Sequence, residues 1–233
     1  MEEKKHINVP SAHANIQPLT AKEIKEEADR RVSLITKEFS KGFSFAERYN
    51  KSVTFFGSAR FSEDNPHYKK ARSVAYKLSK LGYAVVTGGG PGIMEAANRG
   101  AREAGGQSLA FSIELPKEQI INQYVDDYVS FHYFFSRKVC LSYSAEAYIY
   151  FPGGFGTVNE FFEILTLAQT RKIPSVPIIV VGRDYWKPLD GFMRNMLYEK
   201  HGAVDKNDFD LYTITDDEDE IIEIVKAAPM RRE

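Results

Sequence analysis

Apolar and polar positions follow two rhythms along this chain. From Val53 onward, short apolar runs of strand length alternate with longer segments whose apolar residues recur at helical spacing. VTFFG (53–57), AVVTGG (84–89), SLAFSI (108–113), a run at 127–132, AYIYF (147–151) and PIIVV (177–181) read as strands. Between them the spacing predicts helices over 66–81, 91–104, about 136–144, and 157 to about 170. This alternation predicts parallel βαβ packing and an α/β fold with a Rossmann-like, doubly wound parallel sheet. Farther on come a helix at about 185–199, the short run LYTIT (211–215) and the helix DDEDEIIEIVKAA (216–228). The acidic first turn of that last helix suits the positive end of the helix dipole.

Residues 1–19 are polar, contain Pro10 and Pro18, and show no sustained periodicity, so they read as a flexible N-terminal arm. Order begins at Thr20. Thr20 and Glu23 make a T-x-x-E capping box, and Ile24, Ala28, Val32, Leu34, Ile35 and Phe39 continue it as a first helix over about 21–40. No internal repeat or low-complexity linker marks a second domain, so 20–233 is expected to be a single domain with an N-terminal helical extension.

Composition narrows the partners. At 43% hydrophobic and 27% charged residues the chain reads as an ordinary folded domain, with disorder excluded as the default. Thirty-one basic against 32 acidic residues leave a formal charge of −1, so nothing attracts nucleic acid polymers or a membrane surface globally, and any anion site must be local. Cys140 is the only cysteine, which excludes an internal disulfide, and the histidines at 6, 13, 67, 132 and 201 form no metal-ligand spacing. Neither a metal nor a cofactor is expected. Without an apolar signal core or a run of roughly 20 apolar residues, a cytoplasmic location is expected.

Two glycine-rich loops carry the candidate chemistry. TGGGPGIM (87–94) follows a strand and opens a helix, which points backbone N–H groups of Gly89, Gly90 and Gly92 at the strand's C-terminal edge. It matches neither GxGxxG nor GxxxxGK[ST], and it reads either as an anion cradle or as a turn that lets strand and helix pack. PGGFGTVNE (152–160) repeats the arrangement. Gly153, Gly154, Phe155, Gly156 and Thr157 can surround phosphate oxygens, the glycines allowing close approach and positive φ. Thr157 and Glu160 also satisfy the capping-box spacing, so they can serve simply to start the helix.

The complete nine-residue motif resembles the hallmark PGGxGTxxE of the LOG family, nucleotide phosphoribohydrolases once labelled lysine decarboxylase-like. The resemblance runs over roughly residues 50–185, through FFGSAR (55–60), GGGPGIM, Arg137–Lys138, PGGFGTVNEFFE and TLAQ to PIIVVG. It implies a Rossmann-like hydrolase, generally a homodimer, that cleaves the N-glycosidic bond of nucleoside 5′-monophosphates. AMP and cytokinin riboside 5′-monophosphate are the substrates it suggests, with free base and ribose 5-phosphate as products. The family's arginine of its RK pair falls on Arg137, its motif-ending glutamate on Glu160, and Lys138 is the second basic residue. Nothing in the sequence announces a pyridoxal-phosphate lysine, so the decarboxylase label is set aside.

The sequence departs from the plant-type pattern MHxRK, with Phe134, Phe135 and Ser136 before Arg137. Asn159 stands where an acidic residue often precedes the final glutamate, and the first glycine loop is one residue shorter. These departures point to another branch of the family. Breaking a ribose–base bond develops positive charge on the sugar, so Glu160 is the candidate carboxylate and Arg137 its candidate partner. Ser58, after the first strand, and Glu163, one turn beyond Glu160, are further candidates for the substrate pocket. Two rival readings accompany this one: a non-catalytic nucleotide or molybdenum-cofactor carrier, and an assembly protein built on the arm and first helix.

Overall fold

The computed structural model describes residues 20–49, 51–114, 121–143 and 145–229; the arm expected at 1–19 lies outside them. The chain divides into two compact units, Met1–Thr36 and Lys37–Glu233. In the first, the expected capping box forms: the Thr20 N–H donates to Glu23 Oε2 at 2.8 Å and the Glu23 N–H to Thr20 Oγ1 at 3.3 Å. Helix α1 begins there and spans Ala21–Glu47. It passes the expected end near 40 because Phe43, Phe45 and Ala46 prolong its apolar stripe, the last two buried.

The second unit holds β1 (Ser52–Phe56), α2 (Pro66–Lys80), β2 (Ala84–Thr87), α3 (Ile93–Glu103), β3 (Ser108–Ile113) and β4 (Asp127–Phe131). After them come α4 (Phe134–Tyr143), β5 (Ala147–Tyr150), α5 (Phe155–Gln169), β6 (Ile178–Val180), α6 (Arg183–Phe192), β7 (Thr213–Ile214) and α7 (Glu218–Ala227). The helix expected at 185–199 is in fact α6 followed by a π-helical segment, Met193–Lys200, with Pro188, which has no N–H to donate, inside α6. Asn65 caps α2 by accepting the His67 N–H at 2.8 Å, with Pro66 in the first turn. Asp217 caps the acidic start of α7 by accepting the N–H groups of Asp219 and Glu220.

The seven strands among the described residues are all parallel, in the order β4-β3-β2-β1-β5-β6-β7. Alternate residues bury into opposite layers, as strand geometry requires. Val53, Phe55, Ile149 and Phe151 pack with Ala71 and Val74 of α2, Ala97 of α3 and Ile221 of α7. Phe56, Tyr150, Val180 and Phe131 pack on the other side with Leu141 of α4, Phe161 of α5 and Phe45 of α1. Chain order reverses between β1 and β5, whose register sets Phe55 opposite Ile149. A parallel sheet opens a crevice at the carboxyl end of such a switch point. No helix among the described residues is long and apolar enough to cross a membrane.

Helices α2 and α3 meet at Gly100, where a Cβ would collide with the Arg72 carbonyl and stand 3.0 Å from the Tyr76 nitrogen. In an open helix alanine outperforms glycine by about 1 kcal/mol. Here Gly100→Ala is expected to destabilise by roughly 1–3 kcal/mol, read as a lower midpoint in urea unfolding. An unchanged or higher midpoint would show that α2 and α3 are not held at this separation.

Candidate active site

Three strand ends meet at the β1/β5 switch point. Ser58 stitches them: its N–H donates to the Pro152 carbonyl at 3.0 Å, its own carbonyl accepts the Ile93 N–H at 3.0 Å, and its Oγ accepts the Arg60 N–H at 3.1 Å. The close approach explains Gly92, which has φ 71° and whose Cβ would run into the Ser58 carbonyl. Around these loops opens a cavity of about 950 Å³, walled by Gly57–Phe61, Gly88, Met94, Pro152–Glu160 and Tyr185, with Phe134, Arg137 and Lys138 from α4. That volume suits a nucleotide-sized ligand.

The β5–α5 turn departs from expectation in two ways. Helix α5 starts at Phe155 with Gly154 as its N-cap, so Thr157 and Glu160 lie inside the helix and form no capping box. The Glu160 carboxylate turns instead to α4. Nor do Gly153, Gly154 and Gly156 adopt positive φ; among the described residues those positions include Gly89 and Gly92 of the other loop. What these three glycines supply is the absence of a side chain. The Thr157 side chain occupies the space a Gly153 Cβ would need, whereas a Cβ on Gly154 or Gly156 would meet nothing within 4 Å. Backbone therefore faces the cavity directly. The first intrahelical donor is the Val158 N–H, bonded to the Gly154 carbonyl, which leaves the N–H groups of Phe155, Gly156 and Thr157 at the positive end of the helix dipole. Tyr185 braces the turn, its hydroxyl donating to the Gly153 carbonyl at 2.7 Å.

Helices α4 and α5 face each other through paired charges. Arg137 Nη1 stands 2.5 Å from Glu160 Oε1, both side chains largely buried at 11% and 14% exposure. Beside this pair, Lys138 Nζ donates to Asn159 Oδ1 at 2.8 Å and pairs with Glu163 Oε2 at 2.5 Å. Burial pushes the Glu160 carboxyl above the ordinary glutamate value of 4.5, against the opposing pull of Arg137 and, more weakly, Lys138. Below it, the buried Tyr150 hydroxyl donates to the Glu160 carbonyl at 3.2 Å. The buried Arg137 Nε has no protein partner among the described residues.

Ser58, Arg137, Lys138, Gly153, Gly154, Phe155, Gly156, Thr157 and Glu160 thus share one cavity. Gly89, Gly90, Gly92 and Glu163 do not line it. Asn122 Nδ2 donates to the carbonyls of Gly89 and Gly90, and the buried Asn98 ties the same loop down through Thr87 Oγ1 at 2.6 Å and Asn122 Nδ2 at 3.0 Å. The first glycine loop is therefore held in place by these two asparagines, and Gly88 and Met94 of TGGGPGIM stand on the cavity wall. Arg60, Phe61 and Tyr185 line the cavity without having been singled out in the sequence. Arg60 carried one signal, its place at the end of FFGSAR; Tyr185 carried none, because it comes from a helix start remote in sequence. No group of three or more His, Cys, Asp or Glu able to hold a metal ion occurs among the described residues.

The family model described as possible lysine decarboxylase matches residues 94–225, which contain Arg137 and the whole of PGGFGTVNE. The chain belongs to this family, the LOG family. A cytokinin riboside 5′-monophosphate phosphoribohydrolase of Arabidopsis thaliana is 26% identical over 161 residues, 68% of this chain and 72% of that protein. An uncharacterized protein of Archaeoglobus fulgidus is 28% identical over 121 residues, 51% of this chain and 78% of the relative. In three dimensions the molybdenum cofactor carrier protein of Chlamydomonas reinhardtii superposes with a TM-score of 0.55 at 22% identity, covering 76% of this chain and 96% of that one. At that identity the likeness shows the fold alone.

The two glycine environments make the LOG motif testable position by position. Gly153→Ala is expected to lower the melting temperature sharply, since its methyl and Thr157 claim the same space. Gly156→Ala, in the first turn of α5 with open space around it, is expected to fold with an unchanged or higher melting temperature. Equal melting temperatures for the two variants would refute this account of the turn.

Proposed function

We propose that this LOG-family chain hydrolyses the N-glycosidic bond of nucleoside 5′-monophosphates, AMP and cytokinin riboside 5′-monophosphate being the substrates to examine first. The observation that carries the reading is the buried Arg137–Glu160 pair facing, across one cavity, the bare N-terminus of α5. A 5′-phosphate fits at the N–H groups of Phe155, Gly156 and Thr157, where helix dipole and donors favour an anion. Arg60 on the opposite loop and the arginine–lysine pair of α4 make the surroundings cationic. The ribose then lies toward Glu160.

In the reaction, the C1′–N bond breaks with its electron pair leaving on the base, and a water oxygen bonds to C1′. One water proton passes to the Glu160 carboxylate, and the departing base nitrogen takes up one proton in exchange, so that Glu160 ends ionised once it has given its own proton back. Ionised Glu160 also offsets the positive charge that develops on the sugar. Arg137 opposes the upward shift that burial imposes on that carboxylate. Lys138 is held by Glu163 and Asn159, an arrangement that suits charge presentation better than the covalent chemistry the family's decarboxylase description would require. By family analogy the protein acts as a homodimer in the cytoplasm.

Incubation with AMP and with isopentenyladenosine monophosphate, followed by chromatography, is expected to yield free base and ribose 5-phosphate from at least one of them. Glu160→Gln is expected to lower kcat by about 10²–10⁴-fold with nucleotide binding retained. Tight binding without turnover in the unsubstituted protein would instead support a carrier. Because turnover needs ionised Glu160, kcat should fall as pH drops through its raised pKa, placing the acid limb above 4.5. An acid limb below that value would remove Glu160 from the role. Arg60→Ala should raise KM about tenfold for nucleotides, the loss of one charge-assisted phosphate contact, and leave kcat nearly unchanged.

A further inference from the structure

Glu38, on α1 within the second unit, has no place in the chemistry described so far, yet it is a carboxylate with 6% exposure. Its two oxygens are both engaged at the start of α4. Oε1 accepts the His132 N–H at 2.5 Å, and Oε2 accepts the hydroxyl of the fully buried Ser136. The carboxylate thus stands as a negative cap at the positive end of α4, supplied from a distant part of the chain. Around it α1 and α4 are closely fitted. A Cβ on Gly42 would press on the Cys140 side chain, and Phe39 and Phe43 pack on Phe135 and Tyr143 at centroid distances of 6.3 and 5.2 Å.

Ser136 immediately precedes Arg137, whose own N–H bonds the Tyr133 carbonyl in the same turn at 3.2 Å. The turn that Glu38 clamps is therefore the one that aims the guanidinium at Glu160. We infer that Glu38 is a positioning residue: by capping α4 through His132 and Ser136, it sets the Arg137–Glu160 contact and so makes α1 part of the site. The inference rests on the reading of Arg137 and Glu160 as the reactive pair. Movement of α4 by even a fraction of an ångström lengthens that contact and weakens the hold of Arg137 on the Glu160 charge.

The test reads Glu160 directly and does not depend on turnover. Carboxyl carbons of protein labelled with ¹³C-glutamate are titrated by NMR, the Glu160 signal being the one lost in Glu160→Gln. The groups facing Glu160 are Arg137 and Lys138 from α4, Glu163 on its own helix and Tyr150 from β5, and none of them is altered by the variants. In Glu38→Ala the Glu160 midpoint is expected to rise by roughly one pH unit, the shift a tenfold weaker ion pair produces. Ser136→Ala, which deletes one contact and keeps the fold if Glu38→Ala does not, should move it the same way by less. Glu38→Gln, which retains acceptor oxygen at the cap, should restore part of the shift. A folded Glu38→Ala or Ser136→Ala protein that loses thermal stability with the Glu160 midpoint unmoved would overturn the inference and leave Glu38 a helix cap only. Absence of nucleotide hydrolysis in the unsubstituted protein would reject the proposed function, while the titration would still decide the role of Glu38.

Discussion

The Arg137–Glu160 contact is the constraint around which the rest of this molecule is arranged. It takes two charged groups largely out of water and brings them to 2.5 Å, an arrangement in which losing either partner costs about 3–5 kcal/mol because the other is left buried and uncompensated. The contact also fixes the spacing of α4 and α5 at the mouth of the crevice. Lys138, Asn159 and Glu163 repeat the cross-helix pairing beside it, so the two helices are registered by charge as well as by the apolar layer beneath. The pair is tuned as well as placed. Burial drives the Glu160 pKa up, and the neighbouring cations oppose that rise.

A second constraint is backbone proximity. Ser58 bonds both to the β5 loop and to the start of α3, and Gly92, Gly153 and Gly57 are glycines because neighbouring atoms already fill the space a Cβ would take. Tyr185 closes the arrangement from α6 through the Gly153 carbonyl. The cavity is thus walled by backbone at the β5–α5 turn and by side chains at its Glu160 end. The first region offers donors of fixed geometry; the second offers charges whose placement depends on how the helices sit. Glu38 bears on the second region through its hydrogen bonds to the His132 N–H and the Ser136 hydroxyl at the start of α4.

Strand and helix order was legible in the sequence because each element announces itself through local periodicity. The runs at 53–57, 84–89, 108–113 and 147–151 became β1, β2, β3 and β5 with ends shifted by a residue or two. Less legible were features that depend on contacts between distant segments. The helix predicted to end near 40 continues to Glu47 because its last turns find the sheet's apolar face. Thr157 and Glu160 matched a capping-box spacing, yet α5 begins two residues earlier, and Glu160 has a stronger partner in Arg137 than any N–H at its own helix start.

By itself, the sequence determined the parallel α/β layout, the two glycine turns and the family, through the unbroken motif PGGFGTVNE and the Arg137–Lys138 pair. Those features are encoded by residues adjacent along the chain, where spacing and backbone freedom suffice. The tertiary structure alone decided how much of each glycine loop lines the cavity, and that Asn122 and Asn98 hold the first of them. It alone brought Arg60, Tyr185 and Glu38 into the site's construction. Each of those outcomes depends on which groups become close neighbours once the chain has folded into the sheet, and proximity of that kind leaves no periodic trace in the order of residues.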